Sequence, residues 1–199
     1  MDFLSSLRKA MVRLILQLVY DLFYDSEGIW PTLADVQQAL NRRGYGKVDA
    51  ARIAQQIDAG LLKPLGSPKG YPAPIAQLIL TAEAIKRCAN SAEDIASLPS
   101  AVKWLGRRME QQHAATDQSE RGMRFTTEQL AEAVPVELNS AALHRLVAIL
   151  QAEGWIHDDL QYSDNYGRAL YADWKVQEFR SVERFSDYRK IKLRLHQGD

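Results

Sequence analysis

The chain contains 199 residues, of which 46% are hydrophobic, 9% aromatic and 25% charged, and its formal net charge is zero. This composition excludes an intrinsically disordered chain, and a single cysteine, Cys88, excludes an intramolecular disulfide or a zinc site built from cysteines. The most apolar stretch, residues 11–24, contains three polar side chains and is shorter than the ~20 residues of a membrane-spanning helix, so a cytoplasmic protein is expected.

The first element in chain order is a predicted helix over residues 3–24, where apolar side chains recur at spacings of three and four residues. Residues 29–31 are predicted to be extended, because a residue that precedes a proline avoids the helical region. Thr32 is then the predicted N-cap of a second helix, and Asp35 supplies the carboxylate of a capping box. This helix is expected to end near Arg43.

A third helix is expected from residue 49 to residue 59, with Gly60 as its C-terminal stop. Two strands, residues 61–65 and 75–80, flank a segment that is dense in turn-forming residues, which predicts a β-hairpin. Thr81 is the predicted N-cap of a further helix that reaches residue 89.

A second series of elements follows a polar connector at residues 90–97. A long helix is predicted over residues 99–114, with Pro99 in its first turn, and residues 116–122 are expected to form a loop. The remaining predictions are a strand at 123–125, a helix capped by Thr126 or Thr127 and ending at Ala133, a helix over 140–152 stopped by Gly154, and strands at 155–161 and 169–174. The tail, residues 177–199, is basic and is compatible with either helix or strand.

The two series are copies of one pattern displaced by 94 residues. The matching positions are Thr32 and Thr126, Val36 and Leu130, Leu40 and Val134, Gly60 and Gly154, Leu61 and Trp155, and Leu62 and Ile156. In the order of its elements, each copy resembles the winged helix-turn-helix domain, in which the second helix is followed by a two-stranded wing. Residues 79–84 (ILTAEA) resemble the end of the wing in bacterial regulators, and residues 150–156 (LQAEGWI) resemble the end of the recognition helix.

This resemblance implies a mainly α fold with small β-hairpin wings (α+β), arranged as two tandem winged-helix domains. The implied domains are residues 1–95 and 96–176, followed by the basic C-terminal tail at residues 177–199. The matching residues are mostly packing positions, and a fold alone does not establish a function.

Charge distinguishes the two copies. Residues 41–72 contain six cations against Asp49 and Asp58, whereas residues 135–175 contain three cations against six carboxylates. A basic surface is the usual mark of nucleic-acid binding, and Arg and Gln at the start of the second helix can read base edges in the major groove. The residues predicted to contact DNA are Arg42, Arg43, Lys47, Arg52, Gln55, Gln56, Lys63, Lys69 and Tyr71.

The second copy favours a protein partner over DNA. Its recognition-type helix offers Asn139, Ser140, His144 and Arg145. Its hairpin, however, carries carboxylates that would repel phosphates. Because Tyr and Arg are enriched in protein interfaces, the predicted partner-binding residues are Tyr162, Asn165, Tyr166 and Arg168.

No cluster typical of an enzyme is present in the sequence. No two of the four histidines have the i, i+4 spacing of a helical metal site. His157 and Asp159 are the nearest approach to a ligand pair, since alternate residues of a strand share a face. There is no phosphate-binding loop, nucleophile elbow or dinucleotide fingerprint, so neither a catalytic site nor a cofactor nor a metal is predicted.

These patterns predict a DNA-binding protein, a transcriptional regulator of bacterial or phage type, that contacts double-stranded DNA mainly through its N-terminal winged helix. The alternative is an adaptor subunit whose winged helices make protein–protein contacts in a larger complex, and the net charge of zero favours that alternative. The apolar helices at residues 3–24 and 99–114 either pack within their own domains or form a homodimer.

Overall fold

The protein is described by a computed structural model, which covers residues 3–65, 75–115, 122–137, 140–158 and 169–173. The chain divides into two units, Met1–Ala92 and Glu93–Asp199, called here the N-terminal unit and the C-terminal unit. The described residues are mainly helical, with a two-stranded antiparallel sheet in the first unit and a three-stranded one in the second. The predicted α+β class is therefore confirmed.

Helix α1 (Phe3–Asp25) lies at the centre of the core of the N-terminal unit, and it confirms the helix predicted over residues 3–24. The elements of this unit are α1 (Phe3–Asp25), α2 (Leu33–Arg42), α3 (Ala50–Gln56), β1 (Leu62–Leu65), β2 (Gln77–Leu80) and α4 (Ala82–Ile85). On α1, Ile15, Leu18, Val19 and Phe23 lie on one face and are at most 1% exposed. Helices α2, α3 and α4 and strand β2 all contact α1, so this face organises the unit.

Helix α2 begins where it was predicted, because Thr32 and Asp35 form the expected capping box. The backbone N–H of Asp35 donates to Thr32 Oγ1 over 3.2 Å, and the backbone N–H of Thr32 donates to Asp35 Oδ2 over 2.8 Å. The Thr32 hydroxyl also donates to Oδ2, and this bond, together with the backbone bond, lowers the pKa of Asp35. The ionised carboxylate stabilises the positive end of α2.

Helix α3 is shorter than predicted. It ends at Gln56, and Ile57 already has an extended backbone with its side chain buried. The Asp58 carboxylate accepts from the backbone N–H of Gly60 over 2.7 Å, a local bond that competes with continuation of the helix. The prediction that the helix runs to residue 59 and is stopped by Gly60 is therefore wrong.

The hairpin predicted after α3 is present as strands β1 and β2. The strands are antiparallel, with Leu62 opposite Leu80. A third segment extends this pairing, because Leu78 N–H donates to Pro31 O over 2.8 Å and Leu33 N–H donates to Ala76 O over 2.9 Å. The extended residues before α2 thus fix the hairpin against the start of that helix. Residues 66–74, which include the predicted wing tip, lie outside the described residues.

Thr81 caps α4 as predicted, and it also joins this helix to the hairpin. The side chain is 1% exposed, its hydroxyl donates to Gly60 O over 2.7 Å, and it accepts from Ala84 N–H over 3.3 Å. The helix ends at Ile85 rather than at residue 89, since the following amides bond three residues back, as in Cys88 N–H to Ile85 O.

Replacing Thr81 with valine is expected to lower the free energy of unfolding of the N-terminal unit by about 1–2 kcal/mol, because the variant loses the cap and leaves Gly60 O without its buried donor. Urea denaturation followed by circular dichroism measures this change. Thr81→Ser retains the hydroxyl and is the control. Equal stability of the two variants would show that the hydroxyl does not act as described.

The C-terminal unit contains a helix that the sequence analysis missed. Its elements are α5 (Ala92–Ala96, across the boundary), α6 (Leu98–Ala115), β3 (Gly122–Thr126), α7 (Thr127–Ala133), α8 (Ala141–Ala152), β4 (Ile156–Asp158) and β5 (Ala169–Asp173). Residues 90–97 were expected to be a polar connector, and α5 shows that this prediction is wrong. The reason is long-range: Asp94 is only 3% exposed and is held by Arg145 of α8.

Helix α8 ends as predicted at Gly154. The backbone φ of Gly154 is +75°, a left-handed conformation that favours glycine. Trp155 N–H donates to Leu150 O over 2.9 Å, and Gly154 N–H donates to Gln151 O over the same distance, which is the bonding of a Schellman motif.

The 94-residue repeat is visible in local structure as well as in sequence. Thr126 caps α7 in a capping box with Gln129, as Thr32 caps α2 with Asp35. Each of these threonines also pairs with the last strand of its own unit, Thr32 with Gln77 and Thr126 with residue 169. The third strand, β5, lies between β3 and β4 in the C-terminal sheet.

Candidate nucleic-acid interface

The exposed face of α3 carries three of the residues predicted to contact DNA. Arg52, Gln55 and Gln56 are all exposed, and their i, i+3, i+4 spacing places them side by side on one face. The opposite face consists of small buried residues, Ala50, Ala51 and Ala54. Alanine lets the backbone of α3 approach α1 and α2 closely, which leaves the long polar side chains directed away from the core.

The turn between α2 and α3 adds two further cations. Arg42 at the end of α2 and Lys47 within the turn are exposed, and no hydrogen bond or ion pair engages either side chain within the described part of the chain. Gly44 has a φ of +83°, and Tyr45 N–H donates to Leu40 O over 2.9 Å, so the turn reverses the chain sharply. The ring of Tyr45 is 45% exposed beside these cations, a feature that sequence reasoning did not single out.

Gln37 fixes the position of α3 relative to α2, and sequence reasoning missed it. Its Nε2 donates to Val48 O over 3.0 Å, and its Oε1 accepts from Ala50 N–H over 2.9 Å. The same Nε2 is 3.1 Å from Asn41 Oδ1. The side-chain amide of Gln37 therefore bonds backbone groups at the start of α3 that have no partner within the helix. The only sequence signal for this role is that Gln37 and Asn41 are four residues apart and so lie on the same face of α2.

Arg43 is held by α1 rather than left available in the turn. Its guanidinium Nη2 lies 3.0 Å from Asp21 Oδ2, and the two side chains are 47% and 32% exposed. A pair this exposed contributes at most about 1 kcal/mol. Arg43 therefore reaches DNA only if it exchanges Asp21 for a phosphate.

The remaining predicted contacts lie on the hairpin. Lys63 is partly exposed, and because Leu62 and Leu80 are buried, strand alternation places Lys63 on the outer face. Lys69 and Tyr71 lie outside the described residues.

The carboxylates of this surface are bound to backbone amides. Asp49 caps α3 by accepting from Arg52 N–H over 3.1 Å, and Asp58 accepts from Gly60 N–H. Arg42, Lys47 and Arg52 remain as exposed cations of the described surface once Arg43 is paired with Asp21. They outnumber the two carboxylates, so the described part of the surface keeps a positive excess.

The corresponding surface of the C-terminal unit is different, and one predicted residue is corrected. Ser140 caps α8 by accepting from Leu143 N–H over 3.1 Å, and His144 is exposed. Arg145, expected on the recognition face, is instead buried, with Nε at 2.8 and 3.0 Å from the carboxylate oxygens of Asp94. A buried guanidinium requires such a partner, and Asp94 provides it from a distant part of the sequence.

Burial of Arg145 changes the charge of that surface. Without it, residues 135–175 contain two cations, Arg168 and Lys175, against six carboxylates. Both cations lie outside the described residues, as do Asn139 and the predicted partner-binding residues Tyr162, Asn165 and Tyr166. The described part of α8 therefore offers no basic face.

Within the described ranges, no group of three or more His, Cys, Asp or Glu side chains is placed to hold a metal ion. Cys88 is buried, and desolvation, with a smaller effect from the Asp21 charge, raises the pKa of its thiol to about 12. His157 lies in β4, whereas Asp159 is outside the described residues.

Within the same ranges, every helix is either too short or insufficiently apolar to cross a bilayer. Comparison of the chain with protein-family models, with curated proteins and with solved structures finds no match.

Proposed function

We propose that this chain is a DNA-binding protein built from two winged-helix units, a transcriptional regulator in which the N-terminal unit contacts double-stranded DNA. The observation that carries the proposal is the exposed face of α3. It presents Arg52, Gln55 and Gln56 together, flanked by the cations Arg42 and Lys47, whose side chains have no partner among the described residues.

The proposed geometry follows from how helix-turn-helix proteins bind. The second helix enters the major groove, and its N-terminal residues meet base edges. Arg52 would donate two hydrogen bonds to guanine, and Gln55 and Gln56 would each pair with adenine. Helix α3 has only seven residues. Among the described residues, the exposed Arg52, Gln55 and Gln56 are therefore the α3 side chains available for base readout.

Phosphate contacts would come from the flanking cations. Arg42 and Lys47 lie on the turn that leads into α3, and Lys63 lies on the outer face of the hairpin. Lys69 and Tyr71 of the predicted wing tip would extend the same line of contacts. These interactions position the protein and do not themselves read sequence.

Salt dependence tests the proposal on the intact protein. Three phosphate contacts, from Arg42, Lys47 and Lys63, would reduce affinity about 40-fold between about 50 and about 200 mM salt, at a slope of about −0.9 for each contact. Fluorescence anisotropy with a labelled duplex of mixed sequence measures both affinity and slope. Absence of binding at the lower salt concentration would refute the proposal.

Replacing Arg52 with alanine is expected to weaken duplex binding about tenfold, because the two proposed hydrogen bonds to guanine are lost. The side chain is exposed and its backbone amide is capped by Asp49, so the fold is expected to persist. Arg107→Ala, which removes an exposed cation from α6, is the matched control. Equal effects of the two substitutions would show that charge in general, and not the α3 face, governs binding.

A second candidate function is that of an adaptor, and the burial of Arg145 favours it for the C-terminal unit. With its α8 arginine committed to Asp94, the described part of α8 has no basic face. Its predicted partner-contact residues, Tyr162, Asn165, Tyr166 and Arg168, then serve a protein surface. Purification with a partner at fixed stoichiometry, without retention of DNA, would favour the adaptor over the regulator.

A further inference from the structure

A groove beside α1 has features that the DNA-binding surface does not use. It has a volume of about 1070 Å³ and lies entirely within the N-terminal unit. One wall is the first half of α1, and the other is formed by Leu61 and by the segment after α4 that contains Arg87 and Cys88. The size is that of a pocket for a small organic molecule.

The rim of this groove is cationic. Arg8, Lys9, Arg13 and Arg87 line it, and among the residues that the structure describes no aspartate or glutamate does. Arg87 pairs with Glu83 over 2.9 Å, but Arg8, Lys9 and Arg13 have no ion-pair or hydrogen-bond partner among the residues described. Residues 3–20 contain no acidic residue, so the part of α1 that lines the groove supplies no compensating charge.

The floor of the groove is aliphatic. Leu14, Leu16 and Leu61 line it, and the thiol of Cys88, which also lines the groove, is bonded to backbone carbonyls, with Sγ 3.7 Å from Leu16 O and 3.4 Å from Ala84 O. Gln17 also contributes no open polar group, since its Nε2 donates to Asp21 and its Oε1 accepts from Ala89 N–H. A ligand in this groove therefore contacts aliphatic side chains at the floor and positively charged side chains at the rim.

From this arrangement we propose that the groove binds an amphiphilic anion, a ligand with a phosphate or carboxylate head and an aliphatic body. The cations of the rim, including Arg8 and Arg13, bind the head by charge-assisted hydrogen bonds, which are about twice as strong as those between neutral groups. The aliphatic body lies on Leu16 and Leu61, where apolar area is removed from water. The site is distinct from the α3 surface and does not depend on the proposed function.

Isothermal titration of the full chain with octyl phosphate tests the proposal, with inorganic phosphate and octanol as probes of head and body alone. Octyl phosphate is expected to bind at least about tenfold more tightly than either probe, because each supplies only one of the two interactions. If octyl phosphate and inorganic phosphate bind equally tightly, the aliphatic floor contributes no affinity and the proposal is wrong. If octyl phosphate and octanol bind equally tightly, the cationic rim contributes none and the proposal is also wrong.

Two double variants, one in the groove and one on the α3 surface, test where octyl phosphate binds. Arg8→Ala with Arg13→Ala is expected to lower octyl phosphate affinity about tenfold or more, whereas Arg42→Ala with Arg52→Ala removes the same charge from the same unit and is expected to leave it unchanged. Leu61→Ser should weaken octyl phosphate binding without altering inorganic phosphate binding. Equal loss in both double variants would mean that octyl phosphate responds only to net charge, and would overturn the proposal.

Two further measurements separate the groove from other polyanion surfaces. If the Arg8 and Arg13 variant loses duplex affinity and the wild type fails to bind octyl phosphate, the groove is a DNA-backbone contact and the proposal is wrong. If vesicles of phosphatidylglycerol bind while octyl phosphate and vesicles of phosphatidylcholine do not, the surface recognises an anionic membrane, and the proposal is again wrong.

Discussion

Replacing Asp94 with alanine is expected to lower the free energy of unfolding of the C-terminal unit by about 3–5 kcal/mol, because the buried guanidinium of Arg145 would lose the carboxylate that lies against its Nε. The two side chains are 1% and 4% exposed, and Nε of Arg145 lies 2.8 and 3.0 Å from the two carboxylate oxygens. A loss of this size is a large part of the stability of a domain of ordinary size. The unit is therefore expected to unfold partly at physiological temperature.

Urea denaturation measured by far-ultraviolet circular dichroism gives this change, and Glu93→Ala, an exposed neighbour on α5, is the matched control. A double variant, Asp94→Leu with Arg145→Met, removes both charges and is expected to be more stable than Asp94→Ala alone. Identical stability of Asp94→Ala and Glu93→Ala would contradict the buried pair. The outcome also bears on function, since an Arg145 that is not buried would return a cation to the surface of α8.

Replacing Phe23 with alanine is expected to destabilise the N-terminal unit by about 3–5 kcal/mol through the loss of a large buried ring and the cavity that remains. The Phe23 side chain is 0% exposed, and its ring stacks on Trp30 with centroids 4.0 Å apart and planes at 18°. Trp30 directly precedes Pro31, whose carbonyl accepts from Leu78 N–H of β2. Loss of the Phe23 ring therefore also weakens the packing of α1 against the extended segment that pairs with β2.

Thermal and urea denaturation measure this effect, and Leu7→Ala on the same helix is the control because that side chain is 51% exposed. Phe23→Leu keeps much of the apolar volume and is expected to have an intermediate stability. If Phe23→Ala were no more destabilising than Leu7→Ala, the second half of α1 would not be the core of the unit. Duplex binding measured on Phe23→Leu then shows whether the α3 surface tolerates repacking beneath it.

Helix starts were the part of the fold that the sequence predicted best. Thr32, Thr81 and Thr126 each cap a helix by bonding an amide three residues ahead, and Thr32 and Thr126 complete capping boxes with Asp35 and Gln129. These bonds form between residues close in the chain, so the residue types alone are informative. Helix ends were predicted less well, since α3 and α4 both stop early where a local turn competes with the helix.

The candidate DNA surface was predictable in its composition but not in its assembly. The exposure of Arg52, Gln55 and Gln56 follows from helical spacing against buried alanines. The role of Gln37 in fixing the start of α3 depends on residues 11 and 13 positions away in the chain, which no local pattern specifies. The binding of Arg43 to Asp21 likewise depends on how α1 packs against α2.

The amino-acid sequence by itself determined the repeated scaffold of this protein, because a cap, an apolar stripe and a turn glycine act over a few residues and recur at one offset of 94. The tertiary structure alone decided which charges reach solvent. Arg52 and Arg145 both lie on the recognition-type helix of their copy of the pattern, yet the first is exposed and the second is buried against a carboxylate 51 residues earlier in the chain. Burial depends on what packs against a helix face, and a charged side chain is buried only where a distant partner compensates its desolvation.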